Sequence, residues 1–461
     1  MSNQTGADRW AEETFGSVQL GDRRRTRRLV CLAASLARAP AGSVMASVQT
    51  SKDREAAFRF LANENFSDGD LAAGLTAATL RKCSGLTYCP IDGASITLAD
   101  RAHSRDVGGV GTWNNGARGL HAVTALAADR AGTPVGSLGA EWWARLKRSV
   151  VDPACRRPEL AGQSELRHCL TAVRRIEVIR EAVAPETQLW FQFDRGFDAW
   201  PVFKLADELG LLLTIRSSKN RRVVTNDGPS YLNQAVLKTP IIGTYRIDVP
   251  ERPERPARTA ILQVRIARLR IVLQVGSART ETVPVSVVHA SEVKPASGER
   301  LQWTLITTAA VDDLGGARTV IDGYRTRWLI EDLHRAWKRG WTNIEKTQLR
   351  RQNSLCKWAT LHLALASRAL RLGRLARSEP TMSAATELSR LELDAILLLR
   401  NGATPFTVGA TPTIKDAVLM LAEIGGYDKY SRNPPGPTVI GRGLERIAPL
   451  ATGLGVLRNE K

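Results

Sequence analysis

Three acids stand where phosphoryl-transfer chemistry would want them. Asp92 lies in a strand-like stretch, GLTYCPIDGASITLAD. Asp194 ends the apolar run QLWFQFD, and Glu331 sits inside YRTRWLIEDLHRAWK, which reads as a helix. An acid at the end of an apolar strand is costly unless it is paired or holds a metal. Cleavage of phosphodiesters commonly uses two Mg²⁺ ions about 4 Å apart, one activating the attacking oxygen and one steadying the leaving oxygen. Mg²⁺ is hard and takes carboxylates plus water, so three acids brought together by the fold would suffice. The plainer reading is that Asp194 pairs with Arg195 or caps the next helix.

The helix around Glu331 carries more than one functional type. At 3.6 residues per turn, Tyr324, Arg327, Glu331 and Lys338 fall within roughly 60° of one another. Ile330, Leu333 and Trp337 fall on the roughly opposite face, which would pack inward. An ordinary Arg327–Glu331 ion pair would contribute only a few tenths of a kcal/mol, and it leaves Tyr324 and Lys338 unexplained. A metal-binding acid flanked by phosphate-holding groups accounts for all four.

These residues need elements to hold them. Residues 1–75 read as a helical N-terminal module. LGDRRRTRRLVCLAASLARAP offers Asp22 as a cap, followed by a basic first turn. Basic residues there oppose the helix dipole, which suits phosphate contact or, more simply, a solvated face. From about Gly85 the texture turns to strands: GLTYCPIDGASITLAD, GLHAVTALAAD and TPVGSLGAEWW as a meander, then a helix closed by Pro185. QLWFQFD, AWPVFKLADELG and LLLTIRSS continue as strand, helix, strand. Residues 219–300, with a Pro/Arg turn and alternating strands, read as an inserted β-subdomain. LQWTLITTA resumes the buried strands. The whole is a mixed α/β (α+β) chain: a core over 76–375 and shorter helices over 376–461.

Composition narrows the class. The chain has 461 residues, 43% of them hydrophobic, and a formal net charge of +19. Such an excess favours an anionic partner, nucleic acid first. Eleven Lys and Arg against one acid, Glu345, lie between Arg335 and Arg377, where DNA is expected to lie. No apolar run is long enough for a bilayer, and MSNQTGADRWAEE has no signal-peptide pattern, so a cytoplasmic protein without a membrane partner is expected. Cys31, Cys83, Cys89, Cys155, Cys169 and Cys356 form no CxxC and no zinc-ligand spacing. Reduced structural thiols are expected.

The spacing Tyr-x2-Arg-x3-Glu-x6-Lys resembles the signature of family-four insertion-sequence DDE transposases, and within them the "Tn-five" group of the composite kanamycin-resistance transposon. LGDRRRTRRL, REAAFRFLANEN, AEWWAR, FDRGFD, IRSSK and LQWTLIT recur in matching order across most of the chain. The resemblance implies an RNase H-like core interrupted by a β-subdomain. Asp92, Asp194 and Glu331 match the metal-binding acids, with Mg²⁺ as cofactor and Mn²⁺ tolerated. Tyr324, Arg327 and Lys338 match residues gripping phosphates of the transposon end. Trp303 matches a tryptophan that stacks on a flipped base, and Arg216 a basic residue beside the site. Arg24, Arg25, Arg28 and Arg59 match residues contacting the end sequence, and the C-terminal segment matches the part that dimerises.

There are departures. Ala94 stands where members usually have Thr, Arg23 replaces a proline, and Pro90 is unusual in a central strand. The resemblance implies cut-and-paste transposition on double-stranded DNA by nicking, hairpin formation and opening, and strand transfer, in a bacterial, nucleoid-associated setting. Two alternatives remain at this level: a nuclease of the same fold without transposition, and a decayed, non-catalytic DNA-binding inhibitor.

Overall fold

Polar caps start most of the N-terminal helices. The computed structural model describes residues 5–111, 116–145, 164–249, 257–275, 279–295, 300–400, 406–431 and 433–459. Thr5 caps α1 (Gly6–Phe15), Asp22 caps α2 (Arg23–Arg38), and Thr50 caps α4 (Ser51–Leu61) after the one-turn α3 (Val44–Ser47). Ser67 and Asp70 close a reciprocal capping box on α5 (Asp68–Leu80). The Asp22 cap is the one the sequence predicts. Leu29, Leu32, Ala33 and Leu36 of α2 are buried, which is the apolar face its pattern implies.

The chain divides into two compact units, one of Met1–Gly85, Gly93–Thr187 and Leu329–Lys461, the other of Leu86–Asp92 and Gln188–Trp328. This cuts across a division at 75 and 376. Helical N- and C-terminal segments fall in the same unit, where Arg9 donates to the Thr386 carbonyl at 3.2 Å. Strand β1 (Leu86–Leu98) gives its first half to the second unit and the rest to the first.

The first unit also contains β2 (Gly108–Gly109) and the antiparallel pair β3 (Arg118–Ala128) and β4 (Pro134–Trp143). The helix α6 (Glu165–Val183) stops before Pro185, as expected. Four more helices, α10 (Trp328–Arg335), α11 (Gln352–Ser378), α12 (Arg390–Leu399) and α13 (Ile414–Ile424), precede α14 (Pro437–Asn459). Nineteen buried residues of α11, Trp358 and Lys357 among them, make it the core helix of this unit.

The second unit holds a mixed sheet. The first half of β1 runs parallel to β5 (Gln188–Phe193), and β5 parallel to β6 (Leu212–Arg216). Between them α7 (Trp200–Leu209) ends at Gly210, whose φ of 62° supplies the left-handed turn. Residues 219–300 are β-rich, as the alternation predicts: β7 (Arg222–Thr225), β8 (Gly228–Tyr231), a short α8 (Leu232–Lys238), β9 (Ile241–Val249), β10 (Arg258–Val275) and β11 (Arg279–Glu292). They extend the same sheet, because β11 pairs antiparallel with β12 (Gln302–Thr307), which pairs with β6. Helix α9 (Leu314–Arg325) follows.

Candidate active site and nucleic-acid interface

Pairing of β1 with β5 sets up the site in the second unit. The parallel register runs from Leu86 opposite Gln188 to Pro90 opposite Gln192. Pro90 has no N–H to give the ladder, and the pairing stops there. Asp92 and Asp194 each lie two residues beyond that last pair. The backbone of Asp194 is still extended, at φ −76° and ψ 180°. Continued by one period, the register sets the two acids level and on the same face of neighbouring strands.

Each acid has a partner. Asp92 Oδ2 lies 3.6 Å from the Arg327 guanidinium. Asp194 Oδ1 accepts the Gly196 N–H at 2.7 Å and so caps the 3-10 turn Arg195–Phe197. The capping role is thus real, and it fixes the carboxylate at the strand end.

Around this pair the second unit gathers four more of the predicted residues. Tyr324 is only 2% exposed. Burial raises its phenol pKa, while Arg327 and Arg216 pull it down and Asp194 pushes it up. Arg216 ends β6 and donates to the Gln302 carbonyl at 3.4 Å. The ring of Trp303 meets that of Tyr324 edge-on at 6.1 Å. Trp303 is itself 7% exposed and packs as a strand-core residue.

The single polar stripe is corrected. Helix α9 ends at Arg325, Thr326 and Arg327 form a turn, and α10 starts at Trp328. The ladder shifts to tighter bonds there: Thr326 N and Oγ1 both donate to the Gly323 carbonyl, and Arg327 N donates to that of Tyr324. After α10 the helix widens into a π-turn over Ala336–Gly340. Lys338 sits in that turn and Glu331 in the first turn of α10, both in the first unit. An even wheel therefore does not describe 324–338. Its apolar side holds: Ile330, Leu333 and Trp337 are fully buried, and Trp337 Nε1 donates to the Ala359 carbonyl at 3.1 Å. Burial lowers the Lys338 pKa, with Glu345 opposing and Arg339 adding to the fall.

Among the described residues no group of three or more His, Cys, Asp or Glu is placed to hold a metal ion. Arg327 stands against Asp92, and Glu331 belongs to the other unit. The chemistry of the donors nonetheless fits Mg²⁺: the Asp92 and Asp194 carboxylates offer hard oxygens. Cys155 lies outside the described residues; the other five cysteines are free thiols.

Two contributors escape the sequence reading. A Cβ on Gly323 would come 2.6 Å from the Tyr88 ring, so this glycine lets α9 close on β1 and β5. The hydroxyl of Thr326 helps break the helix. A glycine and a threonine flanking the signature Tyr324 were the available signals.

Residues 7–66 match the model of the transposase DNA-binding family, and residues 176–367 that of the transposase DDE domain. The chain carries a transposase DNA-binding domain and a transposase DDE domain. Together they support a DNA transposase, with DNA as its partner. Asp194, Arg216, Trp303, Tyr324, Arg327, Glu331 and Lys338 fall inside the DDE match, and Asp92 precedes it.

In the DNA-binding domain the predicted arginines are engaged to different degrees. Arg24 wraps back on its own cap, Asp22, at 3.0 Å while its side chain stays 88% exposed. Arg28 pairs with Asp53 at 3.4 Å and Arg59 with Glu55 at 3.6 Å, both exposed. Such pairs are worth little and yield readily to phosphate. Arg25 instead donates to the Leu20 carbonyl at 2.7 Å and braces the turn before α2.

The basic run between Arg335 and Arg377 is in part engaged within the chain. Arg368 and Arg371 pair with Glu392 and Glu387 at 2.8 and 2.6 Å. Arg335 and Arg339 pair with Asp332 and Glu345. Lys357 is fully buried and donates to the carbonyls of Leu61 and Asn63. A core helix turns its cations toward carboxylates and carbonyls supplied by distant segments. No helix of the described residues is long and apolar enough to cross a membrane.

Proposed function

We propose that this chain is a cut-and-paste transposase resembling the family-four insertion-sequence, "Tn-five" group, acting on double-stranded DNA at the ends of its element. At each end water attacks a phosphodiester, one P–O bond replaces another, and a 3′-OH is freed. That 3′-OH attacks the opposite strand to form a hairpin, a second water opens it, and the 3′-OH then joins target DNA.

Asp92, Asp194 and Glu331 would hold Mg²⁺, or Mn²⁺ in its place, in an RNase H-like core. When bound, the metal supplies Lewis acidity to the attacking and leaving oxygens. Arg327, Tyr324 and Lys338 grip end phosphates, with Arg216 beside them. Trp303 stacks on a flipped base, which gains roughly 1–3 kcal/mol per base. Arg24, Arg25, Arg28 and Arg59 contact the end sequence, and the C-terminal helices join two copies across a synapse. The reading sets the protein in the bacterial cytoplasm, on the nucleoid.

What supports this reading is the β1–β5 register, which continued past its last pair, Pro90 and Gln192, levels Asp92 with Asp194, together with the Asp92–Arg327 ion pair. The test is cleavage of linear DNA carrying the element's own terminal repeats, with Mg²⁺. The parent is expected to nick, form hairpins and join ends to a plasmid; Asp194→Ala and Glu331→Ala are expected to lose cutting by orders of magnitude while still binding. Alanine variants that cut like the parent sink the mechanism. Cutting without strand transfer points to a nuclease, and binding without cutting to a decayed inhibitor.

A further inference from the structure

Four residues after Asp194, the same FDRGFD stretch supplies a second, quite different acid. Asp198 ends the 3-10 turn that Asp194 begins. Its side chain is 0% exposed and forms an ion pair with Arg221, itself 3% exposed in its side chain. The other carboxylate oxygen accepts both the N–H and the hydroxyl of Ser218, at 2.8 and 2.9 Å. Taking two charges out of water is costly, so a pair this deep is weak as a stabiliser and strong as a constraint.

What it constrains is the loop leaving β6. Arg216 is the last residue of β6. Ser217 still bonds the Thr304 carbonyl of β12 at 2.9 Å. From Ser218 onward the loop leaves β12, and Asp198 takes it up: first the Ser218 backbone, then Arg221, whose own carbonyl accepts the Leu232 N–H at 2.9 Å. The three-residue turn Arg195–Phe197 thus links Asp194 at one end to the loop of Arg216 at the other. Arg216 also donates to the Gln302 carbonyl at 3.4 Å, next to Trp303, whose ring meets that of Tyr324.

Resting on the function proposed above, we infer that the Asp198–Arg221 pair is a positioning clamp: it fixes the Arg216 guanidinium relative to Asp194 and Tyr324, and touches no DNA itself. A cation beside reacting phosphates must be held in place before the reaction, and a misplacement of about 1 Å can cost about a hundredfold in rate.

The experiment compares the full-length parent, Asp198→Asn and the neutral pair Asp198→Asn/Arg221→Met. Read-outs are thermal midpoint, binding to terminal-repeat DNA and single-turnover cleavage with Mg²⁺. The neutral pair is expected to melt near the parent and bind within twofold, yet to cut at least tenfold more slowly. Asp198→Asn in an Arg216→Gln background is expected to slow cleavage less than twofold further, because both changes remove the same contribution. Parent-like cutting by the neutral pair overturns the clamp. So does an equal fold-loss in both Arg216 backgrounds, or a neutral pair that does not fold. A parent that does not cut at all overturns the transposase reading first, and is seen before any variant is compared.

Discussion

At the scale of single residues, charge placement separates Asp92 and Asp194 from the bulk of the chain's ions. Asp92 faces Arg327 and Asp194 faces the Gly196 amide, so both carboxylates are held in place by partners of the same chain. Lys357 shows the opposite use of charge. Its ammonium is buried against the Phe66 ring and two carbonyls, and burial pushes its pKa down to about 8, with Asp68 and Asp70 opposing. Between that value and the unfolded lysine's ordinary 10.5, the unfolded chain keeps a proton that the folded chain sheds. Its contribution to stability therefore rises as pH climbs through this window and is lost as pH falls through about 8. Lys357→Met is expected to cost about 1–3 kcal/mol at neutral pH by stranding the two carbonyls. Denaturant titrations at pH 7 and pH 9 should show the gap to the parent widening at the higher pH.

Among the elements, the break between α9 and α10 matters most. Helix α9 can approach β1 and β5 only because residue 323 has no side chain; an added Cβ would meet Tyr88 at 2.6 Å and the Gln192 amide at 3.0 Å. Tyr88 is 1% exposed and bonded to the Thr319 carbonyl, so it has little room to yield. Gly323→Ala is expected to destabilise by about 1–3 kcal/mol through overpacking. The calorimetric midpoint reads the stability. Terminal-repeat cleavage should fall further than the folded fraction does, since Tyr324 is the next residue. An unchanged midpoint would mean that α9 does not pack this way.

For the whole molecule, a net charge of +19 says that DNA binding will weaken with salt, but not which cations do the binding. Arg371 is braced by Glu387 and by the Pro134 carbonyl, whereas Arg24 is 88% exposed. Arg24→Gln is expected to flatten the log–log salt dependence of end binding by about 0.9, one phosphate contact. Arg371→Gln should lower the melting temperature and leave that slope alone. Filter binding from low to moderate salt separates them; a reversed pattern would place the DNA on α11 instead.

Local pattern was legible where its causes are local. The Asp22 cap, the stop of α6 before Pro185, the buried faces of Ile330, Leu333 and Trp337, and the β-rich texture of 219–300 follow from neighbours within a turn or two. The sequence by itself also determined which residue types were on offer at Asp92, Asp194, Glu331, Tyr324, Arg327 and Lys338. Tertiary structure alone decided the rest. The β1–β5 register, continued past its last pair, levels Asp92 with Asp194 across a hundred positions, Gly323 packs α9 against Tyr88 and Gln192, and Glu392, Glu387 and the Leu61 and Asn63 carbonyls claim cations of α11. Pairing partners so far apart in the chain leave no mark in any local periodicity.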